Sequence, residues 1–409
     1  PKLWEAKYVF QPAAFTASDL ASGQIEVQNR FFFNNLNDYL VYWTLSEDGK
    51  EIQHGSTTIG DIPANQKGTL NIPYSQPKMK AGSRYLLKLS MRTINNEKWA
   101  DAGFELAKQQ FELVNNAKAE KTANAKAVSV NDSKSNIIVG NDGFSATFDK
   151  MSGYLTSYSV NGQSIIEAAL KPNFWRVGTD NDLLGWHIDK NLGVWDKATQ
   201  GLTLKDIKVE ETANLVTIQA THTFENSINV AITYKVDGEG NITVNFKLDA
   251  DEKLSGMPRL GMTTIVNKSL ANMSFFGRGP FENYADRNNG ADIDLYEGTV
   301  KDFLYEYVRP QENSNRTDID WLSLASNNHS LTINGVEPLS MSVWPYSTEN
   351  LSKSAHTYDL KDQGAFTVNI DLIQAGVGGN DSWSWRAAPI KQYQIPAGKY
   401  EYTFTLSVK

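Results

Sequence analysis

From Ile137 to Lys409 the β signal runs without a linker, and this long unbroken span constrains the fold more than any other feature of the chain. Phe144–Phe148, Leu155–Val160, Leu202–Val209, Leu215–Phe224, Ile228–Val236, Ile242–Leu248, Leu322–Ala325, Phe366–Ile373 and Tyr400–Val408 are its clearest strands. They are rich in β-branched and aromatic residues, which fit a pleated, half-buried surface. Asp237-Gly238-Glu239-Gly240 joins two of them as a hairpin, and Lys150-Met151-Ser152-Gly153 and Asn161-Gly162 punctuate another pair. No strand–helix–strand alternation is present, so the strands are expected to be mostly antiparallel. The span is far larger than one immunoglobulin unit, which predicts a single large double-sheet sandwich.

Residues 1–115 give a second run of short strands, among them Gln24–Phe32, Tyr39–Leu45, Gly68–Ile72, Arg84–Arg92 and Gln110–Val114. Turn chemistry at Asp48-Gly49, Asp61-Ile62-Pro63 and Lys80-Ala81-Gly82 separates them. With no convincing helical period, this block reads as an immunoglobulin-like β-sandwich. Between the two blocks, residues 116–136 are polar, rich in Ala, Lys and Asn, and poor in large apolar side chains. They are expected to form a linker, with a short helix over Ala117–Ala127 as the alternative. The expectation is an all-β chain of two domains, 1–115 and 137–409.

Composition removes several functional classes. There is no cysteine, which excludes disulfides, thiolate catalysis and cysteine metal sites. A formal net charge of -8 argues against a nucleic-acid surface. No apolar run approaches the roughly 18 residues of a membrane span. The start at Pro1 instead of Met reads as a processed or cut N-terminus, and the strand running to Lys409 reads as a native C-terminus.

Four stretches of the second domain are too polar or too Gly-rich to be plain strands. Gly376–Arg386 (GVGGNDSWSWR) combines three glycines, suited to positive φ, with Asn380 and Asp381, which favour turns. Trp383 and Trp385 follow, two residues apart, so an extended chain would send both indoles from one face. Such a pair either lines a sugar site, by stacking on C–H groups, or fills a sandwich core. Arg176–Trp186 (RVGTDNDLLGW) groups Asp180, Asn181 and Asp182, which reads more readily as an Asx-bonded turn than as a Ca²⁺ site. Phe276–Asn289 and Val308–Asp320 mix acids with arginines, as structural ion-pair networks do, and supply Glu282, Asp286 and Glu312 as candidate carboxylates. Glycoside hydrolysis needs two carboxyl groups held at a defined separation, and nothing in the sequence pairs these three. The five histidines sit apart with no nucleophile elbow; His356 is the one best placed to line a site.

Taken in order, FWRVGTDNDLLGW (174–186), FFGRGPFENYADR (275–287), YVRPQENSNRTDIDWL (307–322), PYSTENLSKSAHTYDL (345–360) and GVGGNDSWS (376–384) resemble the C-terminal domain of large bacterial glycoside hydrolase family 2 β-galactosidases. The opening block, from PKLWEAKYVFQP onward, is similar to the immunoglobulin-like domain that follows the catalytic barrel in those enzymes. The resemblance implies that residues 137–409 form the antiparallel supersandwich shared with galactose mutarotases. It also implies that the acid/base and nucleophile glutamates lie on a (β/α)₈ barrel outside this chain, which therefore holds no catalytic residue.

What remains for this chain, on that resemblance, is one wall of the substrate site. Trp383 matches the sugar-stacking tryptophan of a Gly-Gly-Asp-Asp-Ser-Trp motif, with Asn380 in place of its first Asp. Asp182 and Gly185 match a loop near the bound galactoside, although Leu183–Leu184 adds one leucine before the glycine. Trp385 has no counterpart and is expected at the core or rim. Asp182, Gly185, Trp383 and His356 are thus the expected substrate-binding residues. No cofactor or metal is expected within this chain, any metal ion belonging to the parent enzyme's barrel. The expected partner is a β-galactoside, with neither nucleic acid nor membrane, in a homo-oligomeric bacterial enzyme of the periplasm or cytoplasm. The alternatives are a free-standing carbohydrate-binding module and a mutarotase-like aldose epimerase.

Overall fold

The computed structural model describes residues 1–115 and 126–409, and its chain divides into two compact units. The first comprises Pro1–Thr122 with Asn289–Leu295; the second comprises Ala123–Asn288 with Tyr296–Lys409. Among the described residues no helix is long and apolar enough to cross a membrane.

In the first unit, helix α1 (Lys2–Val9) precedes strands β1 (Ala13–Asp19), β2 (Gln24–Asn29), β3 (Tyr39–Glu47), β4 (Lys50–Thr58), β5 (Lys67–Asn71), β6 (Tyr85–Thr93) and β7 (Glu105–Leu113). A three-stranded sheet, β1-β2-β5, faces a four-stranded sheet, β4-β3-β6-β7, across one shared apolar core. The alternation in β3 decides which face is buried: Tyr39, Val41, Trp43 and Leu45 point inward. Gly55 on β4 leaves room for the Trp43 ring, since a Cβ there would lie 2.7 Å from it. Two expectations need correction. Helix α1 was not foreseen; it buries none of its residues, so no apolar stripe announced it. β2 stops at Asn29 instead of running to Phe32 because the buried Asn29 amide donates to Asn34 O and Ile62 O while its carbonyl accepts from Phe31 N. That turns the backbone away from the ladder.

The second unit contains β8 (Ser129–Asp132), β9 (Asn136–Asn141), β10 (Phe144–Asp149), β11 (Leu155–Val160) and β12 (Gln163–Asn173). Two helices follow, α2 (Ile188–Asn191) and α3 (Gly193–Gly201). Then come β13 (Thr203–Thr212), β14 (Leu215–Phe224), β15 (Ile228–Asp237), β16 (Ile242–Ala250), β17 (Arg259–Asn267), β18 (Asn272–Gly279) and β19 (Asp292–Thr299), of which the first residues, up to Leu295, belong to the first unit. The chain closes with β20 (Arg316–Ala325), β21 (Ser330–Trp344), helix α4 (Thr348–Lys353), β22 (Ala365–Gln374) and β23 (Lys399–Val408). One sheet of sixteen strands runs β13-β14-β15-β16-β23-β21-β22-β17-β12-β11-β10-β9-β8, with β18, β19 and β20 joined beside β21. One large apolar core, including Phe148, Phe174, Phe246 and Phe404, runs through the unit, and a small second cluster is made by Val177, Trp344, Tyr346 and Leu351. The chain is all-β, an N-terminal sandwich followed by one large antiparallel sheet, as the sequence indicates.

The proposed boundary segment, 116–136, is more than a linker. Residues 116–125, with most of the alternative helix over Ala117–Ala127, lie outside the described residues. Ser129–Asp132 forms edge strand β8 against Ile137–Gly140 of β9, because Val130 supplies one apolar side chain to the core.

Candidate functional site

Strand β22 ends at Gln374 and delivers the glycine-rich turn directly to a buried guanidinium. Arg176, on the segment leaving β12, donates Nη1 to Ala375 O at 2.6 Å and Nη2 to Gly376 O at 2.9 Å. Its other face meets Asp182 in a fork, Nε to Oδ2 at 2.9 Å and Nη2 to Oδ1 at 2.8 Å, and both side chains are buried. Thr179 N donates to Asp182 Oδ2 at 2.9 Å and Thr179 Oγ1 accepts from Asp182 N at 3.2 Å, closing a tight turn. Burial opposes the Arg176 charge, but Asp182 beside it outweighs that effect and pushes the pKa up. The pair locks two loops together.

The glycines act here through close approach. None of Gly376, Gly378 and Gly379 has positive φ, contrary to expectation. A Cβ on Gly379 would lie 2.4 Å from Ala387 O, and one on Gly376 would lie 2.6 Å from Asp286 Oδ2. Gly378 N donates to that same Asp286 oxygen at 2.7 Å. Asp381 then shapes the tip: its Oδ1 accepts from Trp383 N at 3.1 Å and Ser384 N at 2.9 Å, and its Oδ2 accepts from Ser384 Oγ at 2.6 Å. The Ser384 hydroxyl, aided by the backbone donors, holds the exposed Asp381 carboxyl below its usual range. The short turn Trp385–Ala387 follows.

The tip is curled, so the two indoles do not leave one strand face. Trp383 is 79% exposed and Trp385 77% exposed, which excludes the core reading for both in this chain. Trp385 carries the Arg386 guanidinium over its ring at 5.6 Å.

The second loop is a wide turn over Asn181–Trp186. Asn181 Nδ2 reaches Asp381 O at 3.4 Å and Ala387 O at 3.5 Å. Gly185 sits where the loops meet: a Cβ there would lie 2.2 Å from Ala387 Cβ and 2.6 Å from Ser384 O. Of the doubled leucines, Leu183 packs over Gly178 while Leu184 is exposed.

The four expected substrate residues therefore divide. Trp383 faces outward, and Gly185 and Asp182 stand behind it. Asp182 is a correction, because its buried carboxylate is fully engaged by Arg176 and Thr179 and offers nothing to a ligand. Gly185 likewise serves loop packing. His356 belongs to another neighbourhood, stacked on Tyr358 at 4.8 Å and 3.6 Å from Asp359, beside α4.

The candidate carboxylates are consumed internally. Glu282 is buried and accepts from Arg287 Nη2 at 2.7 Å, Ser314 N at 2.7 Å and the Tyr307 hydroxyl. Glu312 lies 2.9 Å from Arg259 Nη2, and Asp371 of β22 lies 3.0 Å from Arg259 Nε. Gln374 Nε2 bridges the two carboxylates at 3.2 Å and 3.3 Å. Two acids thus share one arginine in a fully buried site. Burial, reinforced by Glu312 and only partly offset by Arg259, pushes Asp371 up to about 7; burial also raises Glu312. Sequence reasoning missed this network. Its one sequence signal is an acid, Asp371, inside the apolar run FTVNIDLI. Among the described residues, no group of three or more His, Cys, Asp or Glu side chains is placed to hold a metal.

The family described as Beta galactosidase small chain matches residues 140–406, and the one described as Beta-galactosidase, domain 4 matches residues 25–114. A β-galactosidase of Priestia megaterium (strain DSM 319 / IMG 1521) is 32% identical over 411 residues, covering 99% of this chain and 39% of that protein. A β-galactosidase of Pseudoalteromonas haloplanktis is 29% identical over 449 residues, covering 100% of this chain and 40% of that protein. The chain thus spans about 40% of the length of these relatives. The structure of a galactose 1-epimerase from Lactobacillus acidophilus NCFM aligns with 70% of this chain and 99% of its own, at TM-score 0.40 and 13% identity. The chain belongs to the β-galactosidase small chain family, and its first unit carries the domain 4 that accompanies it.

Proposed function

We propose that this chain is the non-barrel part of a family 2 β-galactosidase hydrolysing terminal β-D-galactosyl residues, and that it supplies one wall of the substrate site and no catalytic group. The observation that carries the reading is Trp383, a large apolar ring held in solvent by a loop anchored on the buried Arg176–Asp182 ion pair. An exposed indole on a braced loop gives a flat stacking surface at low entropic cost, as sugar recognition requires. The fate of the carboxylates agrees: Glu282 and Glu312 are buried against arginines and cannot reach a glycosidic oxygen. An epimerase needs an acid and a base facing one ligand, whereas Glu282 is buried and His356 sits exposed beside α4.

Two measurements test this. The 409-residue chain should release no nitrophenol from a nitrophenyl β-galactoside; turnover abolished by one carboxylate substitution overturns the proposal. In the complete enzyme, Trp383→Ala should weaken sugar binding by about 1–3 kcal/mol, on the scale of stacking losses elsewhere. Unchanged KM and inhibition constants would remove Trp383 from the site.

A further inference from the structure

A cleft of about 970 Å³ opens within the second unit, on the side of the Arg176–Trp186 loop formed by Gly178 and Leu183. Its floor is Lys171 and Asn173 of β12, Thr263 of β17 and the half-buried Trp175; α2, α3 and α4 form its rim. The volume lies at the upper end of what small-ligand sites occupy, enough for two or three sugar rings. Its lining suits a polyol. An indole stands beside amide and hydroxyl side chains that both donate and accept, and few aliphatic groups are present.

Charge narrows the ligand further. Lys171 on the floor, Lys190 on α2 and Lys197 on α3 converge on the cleft, and among the described residues no ion pair engages any of the three. The acids that line it are Asp189, Asp196 and Glu349. Asp196 accepts from Gln200, and Glu349 is taken by Lys353. Arg309 on the rim is paired with Asp180, so Asp189 and Asp196, which keeps its charge beside the neutral Gln200 amide, oppose three ammonium groups, on a chain whose net charge is -8. Focused positive charge in a concave site attracts anions even when the molecule as a whole is negative.

We propose that this cleft is a second carbohydrate site, separate from the Trp383 loop, and that it binds an anionic saccharide through Lys171, Lys190 and Lys197. The negative group is a carboxylate or a sulfate ester, since an ammonium reads either as a point charge. No histidine lines the cleft, and the proposal assigns it binding without turnover.

The test is calorimetric titration of the 409-residue chain with trigalacturonate, with a sulfated galactose disaccharide and with lactose. One acidic ligand, or both, should bind with an affinity that falls as salt is raised, and lactose should not. Lys171→Glu and Lys197→Glu should each weaken that binding by about tenfold or more. Lys205→Glu, a charge reversal on β13, and Trp383→Ala should leave it unchanged. All four positions are exposed, so the variants keep the fold, which circular dichroism verifies. Equal binding of lactose, absence of binding by both acidic sugars, or indifference to both cleft lysines overturns the proposal. So does loss of binding in Trp383→Ala, which would place the ligand on the exposed loop.

Discussion

Arg176 shows how a single residue can brace a loop that carries no regular structure. A guanidinium removed from water is costly unless its donors are used, and here Asp182, Ala375 and Gly376 take Nε, Nη1 and Nη2. Asp182→Asn keeps the shape but removes the counter-charge. It should cost about 3–5 kcal/mol, as breaking a buried pair does, read as a lower denaturant midpoint for the second unit. An unchanged midpoint would contradict the brace. Trp383→Ala is the control: at 79% exposure it should alter stability by no more than about 0.5 kcal/mol. These roles were unevenly legible. The exposure of Trp383 fits the stacking role proposed from its motif, whereas Asp182 reads as a ligand contact because a sequence does not show which way a carboxylate faces.

At the scale of one element, β22 links the core to the loop, and its Asp371 makes that link sensitive to pH. Asp371 titrates at about 7 in the fold against 3.8 in the unfolded chain, so between those values the folded state binds the extra proton. The stability this gives is complete below about pH 4 and fades as pH rises to about 7; Glu312, also raised, acts in the same direction. Asp371→Asn mimics the protonated form beside Arg259, Glu312 and Gln374. It should raise the melting temperature of the second unit at pH 8 and leave it nearly unchanged at pH 4. A destabilisation at pH 8 would mean that the Asp371 charge is needed to balance Arg259. The strand was legible, because apolar residues and β-branching mark Phe366–Ile373. Its partners were not, since β17 and the 308–315 segment meet it only through a register that no local pattern encodes. The same holds for the glycines of the neighbouring turn, where the constraint is a backbone approaching from elsewhere and not a local φ.

For the molecule as a whole, two separate apolar cores give two centres of cooperativity, one around Val41, Trp43 and Leu89 and one around Phe148, Phe246 and Leu406. Leu89→Ala, at a fully buried site, should cost about 2–5 kcal/mol and lower only one of two calorimetric transitions. Displacement of a single transition for the whole chain would show that the cores melt together. Acid should then distinguish the two transitions. In the first unit, burial works against the Asp292 charge, but Lys88 at 2.6 Å and Lys108 at 2.9 Å prevail and hold its carboxyl below the usual range. That stability is present above the unfolded value of 3.8 and is lost as pH falls below it. The transition lowered by Leu89→Ala should therefore be level from pH 7 to 5 and drop below pH 4. The Asp371 and Glu312 contribution instead strengthens the other transition as pH falls from about 7 to 4. Parallel movement of both transitions across that range would refute the assignment of these carboxylates to opposite roles.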